Sequence, residues 1–440
     1  MEKFGLKYRI LMGITLFSMF FGAGNLIFPP FLGAQAGTHT LPAFLGFAAS
    51  AVCIPVLGVI AVTRCGGLEK LTDRVGHRFG FVYILILYLA IGPCLAIPRT
   101  ASTSFSMALP PFFELGEHLW IAQLIYSAVF FVLAAWVALH PDRLTDYLGK
   151  RLTPILLGLI LVIFGATLIR SAGGAGTPVG VYGDQAAVRG FLDGYQTMDT
   201  LAALNFGMIV AVNVRAKGIT RERSVVRETI VAGWIAGIVL FIVYSMLAFV
   251  GMASGERFSG MTNGTETLTA MVSFLFGRFG TILLAVVFVI ACFNTCVGLL
   301  SCCGKYFHSI YKKLSYKNWV FLFAAVSMII SNVGLNAILR FSVPVLNAIY
   351  PVAILLIFLS FFRQLHERFA AAYPWSVILC GVVSVVNVLD SQHIVIPYVT
   401  AALRMLPAYG AGFGWLIPAG LGIIIGMIWS LKSVSHKKGA

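Results

Sequence analysis

Charge is the first thing this chain lacks. Only 11% of its 440 residues are Asp, Glu, Lys or Arg, where soluble chains carry about 25%. A chain this poor in charge is not a set of soluble domains. Acidic residues are the scarcer sign, 16 against 31 basic ones, and the formal net charge is +15. Such an excess on a compact patch would suggest nucleic acid. Here the basic residues stand in short clusters between apolar runs, which is a topology signal and excludes a nucleic-acid partner.

Recognisable catalytic and energy-coupling motifs are missing as well. There is no GxxxxGK[ST] run to cradle the phosphates of ATP, and no GxSxG or HExxH to support hydrolysis. A TVGYG filter and an arginine-repeat voltage sensor are also absent. These gaps argue against an ATP-driven pump, a membrane hydrolase and a potassium-type channel, and the protein is not expected to be an enzyme. The eight cysteines (Cys53, Cys65, Cys94, Cys292, Cys296, Cys302, Cys303 and Cys380) lie mostly in or beside apolar runs. They have neither CxxC spacing nor a histidine at ligand spacing, so they read as small packing residues. The apolar runs hold almost no Asp, Glu, Lys or His at mid-depth. Asp199 and Asp390 fall near outer ends, His308 and His366 near inner ends, and all four read as solvated interface residues. Proton relays in membranes generally use such groups at depth, so their scarcity tilts coupling toward a cation held by neutral oxygens.

What is present is apolar surface. Hydrophobic residues make up 59% of the chain and the mean hydropathy is +0.93. Twelve runs are long enough to span a bilayer: 8–32, 41–63, 81–107, 119–139, 152–170, 198–214, 229–252, 280–303, 319–335, 341–362, 375–390 and 411–431. Two shorter apolar segments, 264–279 and 394–407, read as interfacial or re-entrant pieces. The first run is too long for a signal-peptide core and no small-residue cleavage site follows it. With the N-terminus inside, 24 of the 31 basic residues fall on the inner side, and 7 (Arg99, Arg170, Arg189, Arg257, Arg278, Arg340 and Arg404) fall on the outer side or at outer span ends. That split places both termini in the cytoplasm. The chain divides into a five-span half (1–170), an outer linker (171–197), a second five-span half (198–362) and two further spans (363–440). An odd number of spans per half makes the halves enter from opposite faces, as in an inverted repeat.

The first run is interrupted. Phe20-Phe21-Gly22-Ala23-Gly24-Asn25-Leu26-Ile27-Phe28-Pro29-Pro30 places two glycines and a proline pair where a continuous helix is disfavoured. In hydrocarbon, unmade backbone hydrogen bonds cost several kcal/mol each, roughly. A break is therefore tolerable only against protein, water or ligand, and its freed amides suit an anion while its carbonyls suit a cation. The first run of the second half holds Asn205 and Gly207 at its middle, the corresponding place. Paired interrupted segments in two halves point to a transporter binding site. The eighth run adds Ala291-Cys292-Phe293-Asn294-Thr295, where a carbonyl, an amide and a hydroxyl share one turn. These complete an oxygen shell for a small hard cation, or else Thr295 bonds back within its own helix. Phe20, Phe21 and Phe206 nearby suit a zwitterion with an apolar side chain.

The interrupted first run resembles the signature of the BrnQ-type branched-chain amino acid:cation symporters. So do Asn205-Phe206-Gly207 with Asn213-Val214-Arg215-Ala216-Lys217-Gly218, Thr295-Cys296-Val297-Gly298-Leu299, and Ser342-Val343-Pro344-Val345-Leu346-Asn347-Ala348-Ile349-Tyr350-Pro351. The resemblance implies an all-α membrane protein of about twelve transmembrane helices. Its fold would be a LeuT-type five-plus-five inverted repeat with two discontinuous helices, plus two C-terminal helices. It implies uptake of leucine, isoleucine and valine across a bacterial cytoplasmic (inner) membrane by alternating access, with no cofactor beyond a coupling ion, Na⁺ or H⁺. The substrate carboxylate would meet the amides of Gly22, Ala23 and Gly24. Thr200, Ala203, Leu204, Asn205 and Gly207 would complete the pocket. Sodium would lie on the carbonyls of Ser18, Phe21 and Ala291 and the side chains of Asn294 and Thr295, although related transporters favour paired hydroxyls at the last two positions and Asn294 departs from that. Asn25 either serves a second ion or caps the restarted helix. One methylene is worth only about 1–3 kcal/mol in a pocket, so methionine or another apolar amino acid is an alternative substrate. A proton-coupled metabolite permease, and a channel or non-transporting sensor, are the other readings. Nothing in the sequence selects between a monomer and an oligomer.

Overall fold

The computed structural model describes residues 5–114, 116–139, 141–170, 173–216, 218–219, 221–255, 257–258 and 260–438. The side chains of 141–152, 216, 363 and 433–438 are not described. Of the basic residues counted above, Lys3, Arg143, Lys150, Arg151, Arg363 and Lys217 therefore lie outside the described residues or side chains, as do Lys437 and Lys438. So does Ser171–Ala172 at the head of the linker. Among the described residues the secondary structure is entirely helical.

The first apolar run is two helices, α1 (Leu6–Phe20) and α2 (Ala23–Ala36). The break spans Phe21 (φ −73°, ψ 91°) and Gly22 (φ −119°, ψ −166°), both extended. Pro29 and Pro30 lie inside α2 and donate no hydrogen bond, which frees the carbonyls one turn back, of Asn25 and Leu26. α3 (Thr40–Ala48) and α4 (Ile54–Cys65) are joined by a π turn at Ala49–Cys53. The short α5 (Leu68–Thr72) leads to α6 (His77–Leu89). A second π turn, Ala90–Cys94, bends at Gly92 beside Pro93 before α7 (Ala96–Ala108). α8 (Leu119–Ala138) and α9 (Pro141–Ile169) follow.

The linker contains α10 (Tyr182–Gly194) and a tight turn, Tyr195–Thr197, ahead of α11 (Asp199–Ala216). The second discontinuity lies here. Met198 adopts the left-handed conformation (φ 62°, ψ 12°), and the segments on either side meet at 48°. This corrects the expectation of a break at Asn205–Gly207, through which α11 runs without interruption. The Asn205 amide donates to the Leu201 carbonyl (3.4 Å) one turn back. A lone glycine inside a helix costs only about 1 kcal/mol, and Gly207 is used for contact: a Cβ there would stand 3.1 Å from the Val59 carbonyl of α4.

α12 (Glu222–Met252) packs along both α1 and α2. α13 (Gly264–Ile310) turns at Gly277 (φ 63°, ψ −157°), which separates a short outer arm from the long helix behind it. Asn263 caps that arm, accepting from the amides of Thr265 (3.0 Å) and Glu266 (3.1 Å). α14 (Tyr316–Ser331), α15 (Leu335–Ser360), the short α16 (Arg363–Arg368), α17 (Ala372–Ser391), α18 (Val399–Arg404) and α19 (Leu416–Lys438) complete the chain. α17 and α19 pair closely, and α17 lies against α15.

Among the described residues, seven helical stretches are long and apolar enough to cross a membrane, or eight with the bent pair taken as one span. Three shorter apolar helices, Thr153–Ile169, Tyr316–Ser331 and Leu416–Lys432, supplement them. Each of the twelve runs read from the sequence carries helix. Large apolar side chains such as Trp120, Val132, Trp136, Phe279, Ile425 and Trp429 are exposed, as a lipid-facing surface requires. Cys292, Cys296, Cys303 and Cys380 are fully buried packing residues.

Candidate substrate and ion site at the broken helices

The restart of α2 is buried from Gly22 to Ile27. Its first-turn amides have no intrahelical partner, and no side chain of the N-cap residue satisfies them. Asn25 engages one: its Oδ1 accepts from the Gly22 N–H at 3.3 Å. Of the two roles open to Asn25, this is the capping geometry. The amides of Ala23 and Gly24 stand at the positive end of the α2 dipole, where an anion is favoured.

Asn25 also reaches across to α11. Its amide nitrogen donates to both carboxylate oxygens of Asp199, at 2.9 and 2.8 Å, and contacts the Tyr244 hydroxyl. Tyr244, on α12, donates to Asp199 at 2.7 Å. Asp199 is 2% exposed. The expectation that it is a solvated interface residue is wrong, because the left-handed turn at Met198 carries it inside the bundle. Arg99 is a second correction. It was counted with the outer basic residues, yet it is 4% exposed, because the bend at Ala90–Cys94 turns α7 inward. Its Nη1 donates to the Gln196 carbonyl (2.6 Å), the Phe28 ring covers the guanidinium at 5.3 Å, and its Nε has no partner among the described residues. An ionisable residue inside an apolar run is a functional candidate by default, and that signal was present at Arg99, which lies within the run 81–107. Asp390, by contrast, pairs with Arg404 at the surface (2.5 Å).

Of the candidate ion residues on α13, Thr295 meets the break. A Cβ on Gly22 would stand 3.2 Å from both Cγ2 and Oγ1 of Thr295, which puts α13 directly against the extended backbone. The Thr295 hydroxyl donates to the Ala291 carbonyl (3.1 Å), and the buried Oδ1 of Asn294 has no partner among the described residues. Ser18 accepts a hydrogen bond from the Thr153 hydroxyl of α9 (2.9 Å), an oxygen the sequence reading missed.

The α11 residues are less gathered. Thr200 donates to the Ser50 carbonyl (3.3 Å). Ala203 lies against Gly58, whose Cβ would be 3.3 Å from its own, and Gly207 lies against Val59 and Thr63. These positions face α4 and the π turn that precedes it. Leu204 joins the cluster of α4, α6 and α15. Phe206 turns toward α1, its ring 5.6 Å from that of Phe20.

A cavity of about 350 Å³ opens beyond Phe28, lined by Phe31, Gln196, Asn263, Asn336, Arg340 and Val343 among others. It lies on the side of α10 and the outer arm of α13, the outer face by the charge distribution. Phe28 and Gln196 separate it from Arg99. At the opposite end of α1, Arg9 holds the buried Glu228 in a two-pronged ion pair (2.7 and 2.8 Å), and Arg227 joins it (2.7 Å).

A pair of broken helices around buried unsatisfied groups is the plan of a secondary transporter, and the comparisons agree. The family described as "Branched-chain amino acid transport protein" matches residues 6–433. The chain is 37% identical over 433 residues to the branched-chain amino acid permease BrnQ of Bacillus subtilis, covering 98% of each. It is 38% identical to the branched-chain amino acid transport system 2 carrier protein of Pseudomonas aeruginosa, covering 95% of each. The BrnQ permease of Escherichia coli K12 is 36% identical, over 96% of this chain and 95% of the relative. Among solved structures, the nucleobase-cation-symport-1 family transporter Mhp1 in a closed conformation has a TM-score of 0.59 at 15% identity, over 96% of this chain and 93% of Mhp1. MhsT in complex with L-phenylalanine has 0.54 at 14%, over 95% and 98%. At such identities these structures establish the fold, which is the LeuT type. The chain is a membrane-embedded, multi-pass member of the branched-chain amino acid transport protein family.

Proposed function

We propose that the protein is a secondary symporter that imports leucine, isoleucine and valine across a bacterial cytoplasmic membrane, with both termini in the cytoplasm. The observation that carries this reading is the buried restart of α2, where the first-turn amides of Ala23 and Gly24 follow the extended backbone of Gly22 and Thr295 of α13 stands against Gly22. The amides suit a carboxylate and the neutral oxygens suit a small hard cation. The names of the relatives supply the substrate class. Sodium binds between α1 and α13, on carbonyls of Ser18, Phe21 and Ala291 with Asn294 and Thr295. The residues 1–170 and 198–362 act as the two inverted repeats, and joint binding of ion and substrate stabilises the occluded state between them. The Phe28–Gln196 floor of the outer cavity and the Arg9–Glu228 pair sit where an outer and an inner gate belong.

A second reading is proton coupling, and the buried carboxylate of Asp199 favours it. Radiolabelled leucine uptake into proteoliposomes separates the two, with sodium and proton gradients imposed one at a time. The expected result is concentrative uptake driven by sodium alone. Uptake driven only by protons would replace the sodium site with Asp199. Absence of concentrative uptake of any branched-chain amino acid would overturn the symporter reading.

A further inference from the structure

Two charged side chains sit inside the bundle at the break without an ion-pair partner. Arg99 and Asp199 are 4% and 2% exposed, and among the described residues neither takes part in an ion pair. They lie within electrostatic reach of one another. The groups that bond Asp199 directly are the neutral Asn25 and Tyr244. Arg99 donates to one neutral carbonyl and keeps its Nε free. Burying an unpaired charge is costly, and such charges persist where a partner or a function requires them.

Both groups stand against the first turn of α2. A Cβ on Gly24 would stand 2.7 Å from Arg99 Nη2, so the guanidinium and the first turn of α2 converge on one point. Asn25, one residue on, carries Asp199. A positive fork and a negative carboxylate, both against this turn, complement a molecule that carries both charges on one carbon. We infer that Arg99 and Asp199 hold the zwitterionic head group of the substrate. Arg99, with the amides of Ala23 and Gly24, takes the carboxylate, and Asp199 takes the ammonium. This rests on reading the protein as an amino acid carrier, and it adds a requirement that amides alone do not impose: a ligand lacking either charge leaves its partner buried and unpaired.

The test measures binding of leucine, leucinamide (ammonium only) and 4-methylpentanoate (carboxylate only) to the purified full-length protein. Ligand-dependent thermal stabilisation needs no tight-binding tracer. The wild type is expected to bind each analogue on the order of 100-fold more weakly than leucine. In Arg99→Gln, leucine binding falls by a similar factor while leucinamide changes little, so the preference for leucine over leucinamide collapses. Asp199→Asn does the same for 4-methylpentanoate. Should either variant fail to fold, Arg99→Lys and Asp199→Glu narrow the same ratios. Ratios unchanged in the variants, with leucine still bound by the wild type, would overturn this inference and leave the carrier reading standing. A wild type that neither binds nor takes up any apolar amino acid would overturn both.

Discussion

Phe20–Asn25 and Leu204–Gly207 look alike in the sequence: each puts an asparagine and glycine in the middle of an apolar run. Only the first is a break. At Gly22 the backbone is extended and the next turn is capped by Asn25. At Asn205 the helix continues, with the side chain bonded within its own turn. The difference lies in the surroundings. Around Gly22, α7, α11, α12 and α13 bring Arg99, Asp199, Tyr244 and Thr295, so polar groups stand ready for freed amides. Around Gly207 stand the Val59 backbone and one hydroxyl, Thr63, of α4, and there an open helix would leave more buried groups than that hydroxyl could satisfy. Glycine makes a break affordable; polar neighbours decide whether one forms.

The sharpest way to separate the two regions is to fill their glycines. Gly24→Leu would drive its side chain into Arg99 and Phe28, which stand 2.7 and 3.2 Å from a Cβ. Leucine uptake is expected to fall below detection in protein that still reaches the membrane. Survival with unchanged half-saturation would mean that the carboxylate binds elsewhere. A smaller effect is expected on the ion side of the same break. Thr295→Ala removes a hydroxyl beside Gly22 and should raise the sodium concentration for half-maximal uptake by about tenfold, the scale of one hydrogen-bonding oxygen. Sodium dependence identical to the wild type would remove Thr295 from the ion site. The smallest effect belongs to Gly207→Ala. Its Cβ would sit 3.1 Å from the Val59 carbonyl, a tight contact offset by a helix-propensity gain of about 1 kcal/mol. Leucine half-saturation should stay within about twofold of wild type; a loss as large as that of Gly24→Leu would erase the contrast.

Much of this arrangement was legible beforehand. The apolar runs place the helices, and the density of Gly, Asn and Pro between Gly22 and Pro30 places the first break, because there local propensity and function agree. The second was not legible. Met198 is an ordinary helix former held left-handed by its tertiary setting, and no local signal favours that conformation in methionine. The depth of Asp199 and Arg99 was misjudged for a related reason. Distance along a run measures depth only if the run is straight, and both residues follow a bend. Thr153 was missed because a hydroxyl in an apolar run ordinarily bonds back to its own helix, and only packing shows it reaching Ser18.

Two asparagines test the central claim most directly. Equilibrium leucine binding would be measured for Asn25→Ala and Asn205→Ala beside the wild type. Removing Asn25 uncaps Gly22 and strips two donors from the buried Asp199 carboxylate, and lost hydrogen bonds to a charged group cost about 1.5–3 kcal/mol. The predicted result is an affinity loss of about tenfold or more for Asn25→Ala and less than about twofold for Asn205→Ala. Equal losses, or the larger loss at Asn205, would contradict a binding site built on the α1–α2 break and the turn at Met198.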